Sequence, residues 1–339
     1  MGIASIDVSS LFSGSMEQRT VTDKAIHRAA TETGFMTISG LPDALAPSKS
    51  VRQQLLRMFA LADVEKRLLL RRNFDPSRSN LYRGYFPLQS GTATYKEGID
   101  MGPDVAYDDW RPDRSDPLTE RTPLPSELAL PGWKAAVRAY YRGMEQLGAQ
   151  TMRSLARSLE LPETFFEPYF KGGISTLRLI RYPVRDPASL ASADKAKIWV
   201  DYQGVRRALI GGAHIDSGFV TLLAQDGVEG LQAKAADGSW VDVPPVEGSM
   251  AVNFGGLLER WTGGRIKATE HRVLGPGRER YSIPFFYEPR VDAVIRPLPG
   301  GTPFEPFTYG DHLWAAMTTF VEFRDLTGVR APRGVVVQP

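Results

Sequence analysis

The sequence predicts an α+β protein with a mainly β core, of barrel or sandwich type, preceded by helices and closed by one more helix. Two textures predict it. After Pro162, short β-rich runs follow one another, punctuated by Gly, Asp and Pro. Before Pro162, apolar residues recur every three or four positions over long stretches. The 339 residues contain neither an internal repeat nor a low-complexity tract.

The elements follow in order. Residues 16–33 read as a helix, with Val21, Ala25, Ile26, Ala29 and Ala30 on one stripe and Gly34 as its stop. Phe35–Ser39 alternates as a strand. A second helix is expected over 48–71, from Val51, Leu55, Met58 and Phe59. Residues 72–125 are rich in Pro, Gly, Asp and Ser and read as loop, with a strand near Tyr95–Met101. The longest helix, 132–160, places Trp133, Val137, Tyr140, Met144, Leu147, Thr151 and Leu155 on one packing face. Strands are expected at 174–182, 197–203, 219–225, 231–235, 249–254, 266–274 and 281–287. A helix over 309–325 carries Leu313, Met317 and Phe320. These divide the chain into segments 1–125, 126–172, 173–290 and 291–339, expected to pack as one unit.

Composition excludes several chemistries. There is no cysteine, hence no disulfide, iron–sulfur cluster, thiolate zinc site or cysteine nucleophile. Lys and Arg total 41 against 39 Asp and Glu, with no basic tract, so nucleic acid is not an expected partner. No apolar run approaches the ~20 residues that span a bilayer. Met1 to Ser10 lacks the apolar core of a signal peptide, and a cytoplasmic location is expected.

Four histidines are present. His214 and Asp216 stand two apart, so an extended backbone presents both to one face. His271 follows 55 residues after Asp216, in a strand-like run. Two imidazoles and one carboxylate leave metal positions open, which suits non-haem Fe(II) binding a co-substrate and O2 together. Nine residues after His271 come Arg280 and Ser282, on one face of the next strand. A guanidinium fork with a hydroxyl beside it is a receptor for a carboxylate, although Arg280 alone would also fit an ordinary ion pair. His27 and His312 have no matching partner and read as structural or surface residues.

The set His214-x-Asp216, His271, Arg280-x-Ser282 resembles the Fe(II)/2-oxoglutarate-dependent oxygenases of the isopenicillin N synthase-like type. Gly230-Leu231-Gln232, Val252-Asn253-Phe254-Gly255, Leu257 to Thr262 and Thr269 to Val273 resemble further stretches of that family, as do Ile6-Asp7-Val8 and Thr33-Gly34-Phe35. The resemblance covers most of residues 5–325. It implies a double-stranded β-helix, a jelly roll with helices packed outside. It implies His214, Asp216 and His271 as iron ligands, and Arg280, Ser282 and Tyr182 around the distal carboxylate of 2-oxoglutarate. It implies oxidative decarboxylation of 2-oxoglutarate coupled to oxidation of a small molecule, by default hydroxylation. By the same analogy the Tyr95–Met101 strand, the Gly218-Phe219 region, Phe285, Tyr287 and the closing helix near His312 and Trp314 are expected to line the substrate pocket.

Two departures matter. Ile180 stands where many members have an asparagine that contacts the metal-proximal end of 2-oxoglutarate, and Arg181 is the expected substitute. Gly256 stands where the family often has Asp, a position expected to be structural. The polar segment 184–213, with Lys195, Lys197, Arg206 and Arg207, reads as a two-strand flap turning at Gly204, either a lid at the mouth or a surface hairpin. Its basic character points to an acidic group on the substrate. Alternatives left open are an iron oxidase of the same fold that does not use 2-oxoglutarate, a zinc hydrolase and a non-catalytic binding module.

Overall fold

A computed structural model describes residues 2–88, 94–185, 198–320 and 323–335. Its strands are β1 (Ala4–Asp7), β2 (Phe35–Ser39), β3 (Gly84–Phe86), β4 (Glu97–Met101), β5 (Thr176–Tyr182), β6 (Trp199–Tyr202), β7 (Val205–His214) and β8 (Val220–Gln225). They continue as β9 (Leu231–Lys234), β10 (Trp240–Asp242), β11 (Met250–Phe254), β12 (His271–Leu274), β13 (Arg280–Tyr287), β14 (Val294–Ile295) and β15 (Phe307–Thr308). The helices are α1 (Ser10–Ser13), α2 (Met16–Glu32), α3 (Lys49–Leu56), α4 (Asp63–Arg67), α5 (Trp133–Ser158), α6 (Glu167–Phe170), α7 (Gly256–Trp261) and α8 (Tyr309–Met317).

Two sheets face each other in the jelly-roll manner. The larger runs β1-β2-β11-β8-β13-β5-β4-β3, and the smaller β10-β9-β12-β7-β6. Strand alternation sorts the residues of the larger sheet into two cores. Leu177 and Leu179 of β5, Leu222 and Ala224 of β8, and Ile283 and Phe285 of β13 face outward, into a cluster with Trp133, Val137, Tyr141 and Met144 of α5. That cluster also takes Ile6 and Phe323, so it draws on all four segments of the chain. The opposite parity faces the smaller sheet. There Phe35, Ile180, Tyr182 and Ala251 meet Ile210, Leu231, Ala233 and Val273.

Local chemistry sets the ends of these elements. The Ser15 hydroxyl caps α2, and Gln18 returns the bond to the Ser15 N–H, a reciprocal capping box. The sequence reading of one helix over 48–71 is corrected: α3 passes into a 3-10 turn at Arg57–Ala60, Leu61 is extended, and α4 starts anew. The apolar spacing continues through this break, so periodicity alone does not reveal it. Strand β12 begins only at His271. Residues 267 and 269 instead donate to the Ala30 and Thr33 carbonyls at the end of α2. The closing helix stops at Met317, where the Thr318 and Thr319 hydroxyls bond back to the carbonyls of Trp314 and Ala316. The expected flap is a hairpin of β6 and β7, turning at Gln203 and Gly204 with φ of 52° and 74°. Two consecutive positive φ values are what a type I′ hairpin turn requires. Lys195 and Lys197 lie outside the described residues.

Half-buried on α5, Glu145 accepts the Tyr107 hydroxyl, and desolvation pushes its pKa up to about 7. A carboxyl whose pKa is higher folded than unfolded contributes stability at low pH that is lost as pH rises from about 4.5 to 7. Glu145→Gln keeps an acceptor for Tyr107 without the charge. We expect it to stabilise the protein by about 1–2 kcal/mol at pH 8, discounted for partial exposure, and to leave it unchanged at pH 4. Thermal unfolding at the two pH values checks this, and equal shifts at both would refute it.

Candidate active site

His214 is the last residue of β7, and His271 the first of β12, and the two are direct partners across the antiparallel pair. Their rings lie 4.3 Å apart, centroid to centroid. Asp216 sits two residues past the end of β7, so the expectation of one shared strand face is corrected: the carboxylate is delivered by a loop. That loop is held from behind. Gly256 N–H donates to the Asp216 carbonyl at 2.8 Å, and a Cβ on Gly255 would collide with the carbonyl oxygens of Gly218 and Asp216. Glycine at 255 is therefore a packing requirement. The residue at 256 acts through its backbone, the structural role expected for it.

The three side chains converge. Asp216 Oδ1 lies 3.6 Å from His214 Nε2 and 3.8 Å from His271 Nε2, and one ligand atom from each residue fits within 4.8 Å of the others. Each Nδ1 faces a carbonyl two residues upstream, Gly212 at 2.9 Å and Thr269 at 3.1 Å. A carbonyl only accepts, so each Nδ1 carries the proton and each Nε2 offers a lone pair to the common point. Desolvation and the neighbouring His271 pull the His214 pKa down to about 4, against the pull of Asp216. Its side chain nonetheless remains 41% open to solvent, the accessible side of the triad. Asp216 Oδ2 accepts from Thr221 Oγ1 at 2.6 Å and from Asn253 Nδ2 at 2.8 Å, which turns Oδ1 toward the imidazoles. Burial works to raise the Asp216 pKa, but the two histidines and these hydrogen bonds outweigh it and hold the carboxyl below its ordinary value.

Thr221 and Asn253 orient a ligand without touching the common point. Orienting groups of this kind are typically worth ~10–100-fold in metal affinity. We expect the double change Thr221→Val and Asn253→Ala to weaken Fe(II) binding by about tenfold or more. Metal titration of the apoprotein measures this, and an unchanged affinity would show that Asp216 needs neither bond.

Arg280 and Ser282 lie on the inner face of β13, paired with Tyr182 and Ile180 of β5. Arg280 is buried, its guanidinium 5.3 Å from the Tyr182 ring centroid. Nη2 donates to Gln225 Oε1 at 3.2 Å, while Nε and Nη1 are buried with no partner among the described residues. Gln225 and Thr221 share the inner face of β8, four residues apart, about 13 Å at the usual strand rise. The residue that meets the Arg280 guanidinium and the residue that orients the Asp216 ligand therefore lie that far apart along one inner strand face. The donor set and the unsatisfied guanidinium fit Fe(II) with a dicarboxylic 2-oxo acid beside it.

Four expected contacts lie elsewhere. Phe285 packs edge-on against Tyr141 of α5, Tyr287 stacks on Phe170, and Phe219 packs against Phe170, Trp261 and Tyr309. All three belong to the outer core; for Phe285 and Tyr287 this follows from parity, because odd positions of β13 point away from the face that Arg280 and Ser282 occupy. Phe286 has the inward parity, with the Arg178 guanidinium over its ring. Arg181 is likewise on the outer face, where its guanidinium pairs with Glu97 at 2.8 Å and Glu279 at 2.6 Å. It is no substitute for a polar residue at 180. His312 holds a backbone group rather than a metal: its Nε2 donates to the Ser217 carbonyl at 2.9 Å and ties α8 to the Asp216 loop. Trp314 is buried, its Nε1 bonded to the Thr327 carbonyl.

Comparison with known proteins agrees with this arrangement. The 2OG-Fe(II) oxygenase superfamily model matches residues 177–289. A 2-oxoglutarate-Fe(II) type oxidoreductase of Emericella nidulans is 33% identical over 285 residues, covering 81% of this chain and 76% of its own. Isopenicillin N synthase of Streptomyces clavuligerus is 29% identical, covering 92% of this chain and 93% of its own. Among solved structures, a full-length Neurospora crassa protein crystallised in complex with alpha-KG and thymine superimposes with a TM-score of 0.76 at 25% identity, over 94% of this chain and 97% of that one. This chain belongs to the 2-oxoglutarate–Fe(II) oxygenase superfamily and is a dioxygenase of that kind.

Proposed function

We propose that His214, Asp216 and His271 hold the iron, that Arg280, Ser282 and Tyr182 hold the distal carboxylate of 2-oxoglutarate, and that the outcome is hydroxylation of a small molecule carrying an acidic group. When bound, iron with 2-oxoglutarate and O2 supplies the oxidising power, releasing succinate and CO2. The chain supplies position. Two oriented imidazoles and one hydrogen-bonded carboxylate define the metal point, and β13 sets the guanidinium on the inner face of the same sheet. The observation that carries the reading is the pair of nitrogens on buried Arg280 that have no partner among the described residues. A buried cation lacking a counter-ion is costly, and a carboxylate placed against its fork offsets that cost.

The acidic group rests on a separate observation. A cavity of about 390 Å3 beside the β6–β7 hairpin is lined by Arg185, Arg206, Arg207 and Arg278, with Trp199 and Ile210 in its wall and no acidic side chain among the described lining residues. Ile210 is four residues along β7 from His214.

Anaerobic addition of Fe(II) and then 2-oxoglutarate tests the ligand assignment: a visible charge-transfer band is expected only with both. Candidate substrates are then ranked by their acceleration of succinate release. Carboxylated compounds should outperform their neutral amides, and the reverse order would remove the acidic group from the reading.

A further inference from the structure

Resting on the iron and 2-oxoglutarate assignment above, we propose that Arg178 and Phe286 hold the substrate's reacting end: Phe286 stacks on a flat unsaturated ring, and Arg178 donates to an oxygen carried by that ring. Strand register sets where they stand. Arg178 lies on β5 between Ile180, which pairs with Ser282, and Thr176, which pairs with Phe286. Phe286 pairs on its other side with Thr221, whose hydroxyl orients Asp216. Alternation puts Arg178 on the face of Ile180 and Tyr182, and Phe286 on that of Arg280 and Ser282. The two therefore occupy the inner face from the level of Thr221 toward that of Ser282.

The inner face opens at this place. Thr176, Ile180 and Tyr182 of β5 and Arg280, Ser282 and Pro284 of β13 are buried, whereas Arg178 and Phe286 are only half-buried. The guanidinium lies 5.4 Å from the Phe286 ring centroid, and 18% of the Arg178 side chain stays open. Beyond Phe286, buried Glu288 accepts the hydroxyls of Thr176 and Tyr309 at 2.8 and 2.7 Å, which bounds the opening on that side.

The arginine is held still. Its Nε and Nη2 donate to the two oxygens of buried Asp100, at 2.5 and 2.9 Å, the fork geometry that fixes a guanidinium plane. Asp100 does not need Arg178 for neutrality, because buried Arg71 stands 3.5 Å from it. Two guanidinium groups on one carboxylate leave a net positive charge. A guanidinium has five N–H donors and no acceptor, so what Arg178 offers a substrate is donation to an oxygen. The phenyl ring beside it offers a flat face, which favours planar unsaturated groups over puckered saturated ones. This contact is additional to the acidic group argued for the β6–β7 cavity.

The test uses the full chain loaded anaerobically with Fe(II) and 2-oxoglutarate, and follows the visible band as a probe is added. The probes are 2-pyridone, a flat ring with one exocyclic oxygen, and 2-piperidone, its saturated and puckered counterpart. 2-Pyridone should shift the band saturably, and 2-piperidone should bind about tenfold more weakly or worse. Arg178→Met and Phe286→Leu should each weaken 2-pyridone about tenfold or more, and Arg178→Lys should keep part of the affinity. 2-Oxoglutarate affinity should stay within about twofold of wild type in all three variants. A normal band that 2-pyridone leaves unchanged overturns the proposal. So does equal binding of the two rings, or 2-pyridone affinity within about twofold of wild type in either Arg178→Met or Phe286→Leu. Loss of 2-oxoglutarate binding along with 2-pyridone in Arg178→Met would put the arginine in the fold, and overturns it too. A wild type that forms no band with Fe(II) and 2-oxoglutarate overturns the metal and co-substrate assignment instead.

Discussion

Asp216→Ala is expected to abolish iron-dependent turnover. Its Oδ1 is the one anionic donor facing both Nε2 atoms, and the bonds from Thr221 and Asn253 to Oδ2 hold that geometry. Without it, two neutral imidazoles remain, too few and too weakly charged to retain a ferrous ion against water. Alanine also leaves Thr221 and Asn253 with buried groups lacking their acceptor, which costs ~1–3 kcal/mol of stability. Asp216→Asn separates the two effects, since it keeps an acceptor of the same shape but removes the charge. Metal content after purification and succinate formation with added Fe(II) are the measurements. Undiminished turnover in either variant would take Asp216 out of the metal site. His214→Ala and His271→Ala should behave as the aspartate variants do.

Arg280→Met should have opposite effects on binding and on folding. Loss of the guanidinium from a desolvated ion pair is expected to weaken 2-oxoglutarate by about 2–5 kcal/mol. In the absence of 2-oxoglutarate the same change removes a buried cation with two unsatisfied nitrogens, so the apoprotein should become no less stable, and by about 1 kcal/mol more stable if packing is kept. Anaerobic titration and thermal unfolding of the apoprotein give the two numbers. Unchanged co-substrate affinity would refute the role of Arg280. A large loss of apo stability would mean that the guanidinium serves the fold. Arg280→Lys should restore only part of the binding, because an ammonium cannot make the parallel bonds of the fork.

Much of the fold is legible in the sequence where a single period runs unbroken. The α5 stripe from Trp133 to Leu155 and the alternation of β5, β8, β11 and β13 mark their elements within a few residues. The break between α3 and α4 is not legible, because the apolar spacing continues across extended Leu61. The short strands β3 and β10 carry too few residues to show a period. The candidate ligands and Arg280 are legible from residue type and spacing, since few chemistries need that set. Thr221, Asn253 and Gln225 are not, because each acquires its role only when strands distant in sequence are paired. The misplaced aromatics are a different case. Parity along β13 already separates Phe285 and Tyr287 from Arg280 and Ser282, so the sequence contained the correction and family analogy obscured it. Arg181 beside Tyr182 is the same error on β5.

The two imidazoles are aimed by main-chain carbonyls of their own segments, Gly212 and Thr269, while the carboxylate is aimed by side chains from two other strands. Mutation can alter a side chain but not delete a peptide oxygen. The histidine half of this centre is thus insulated from sequence drift, and the aspartate half is where variation among descendants would adjust how tightly the metal is gripped.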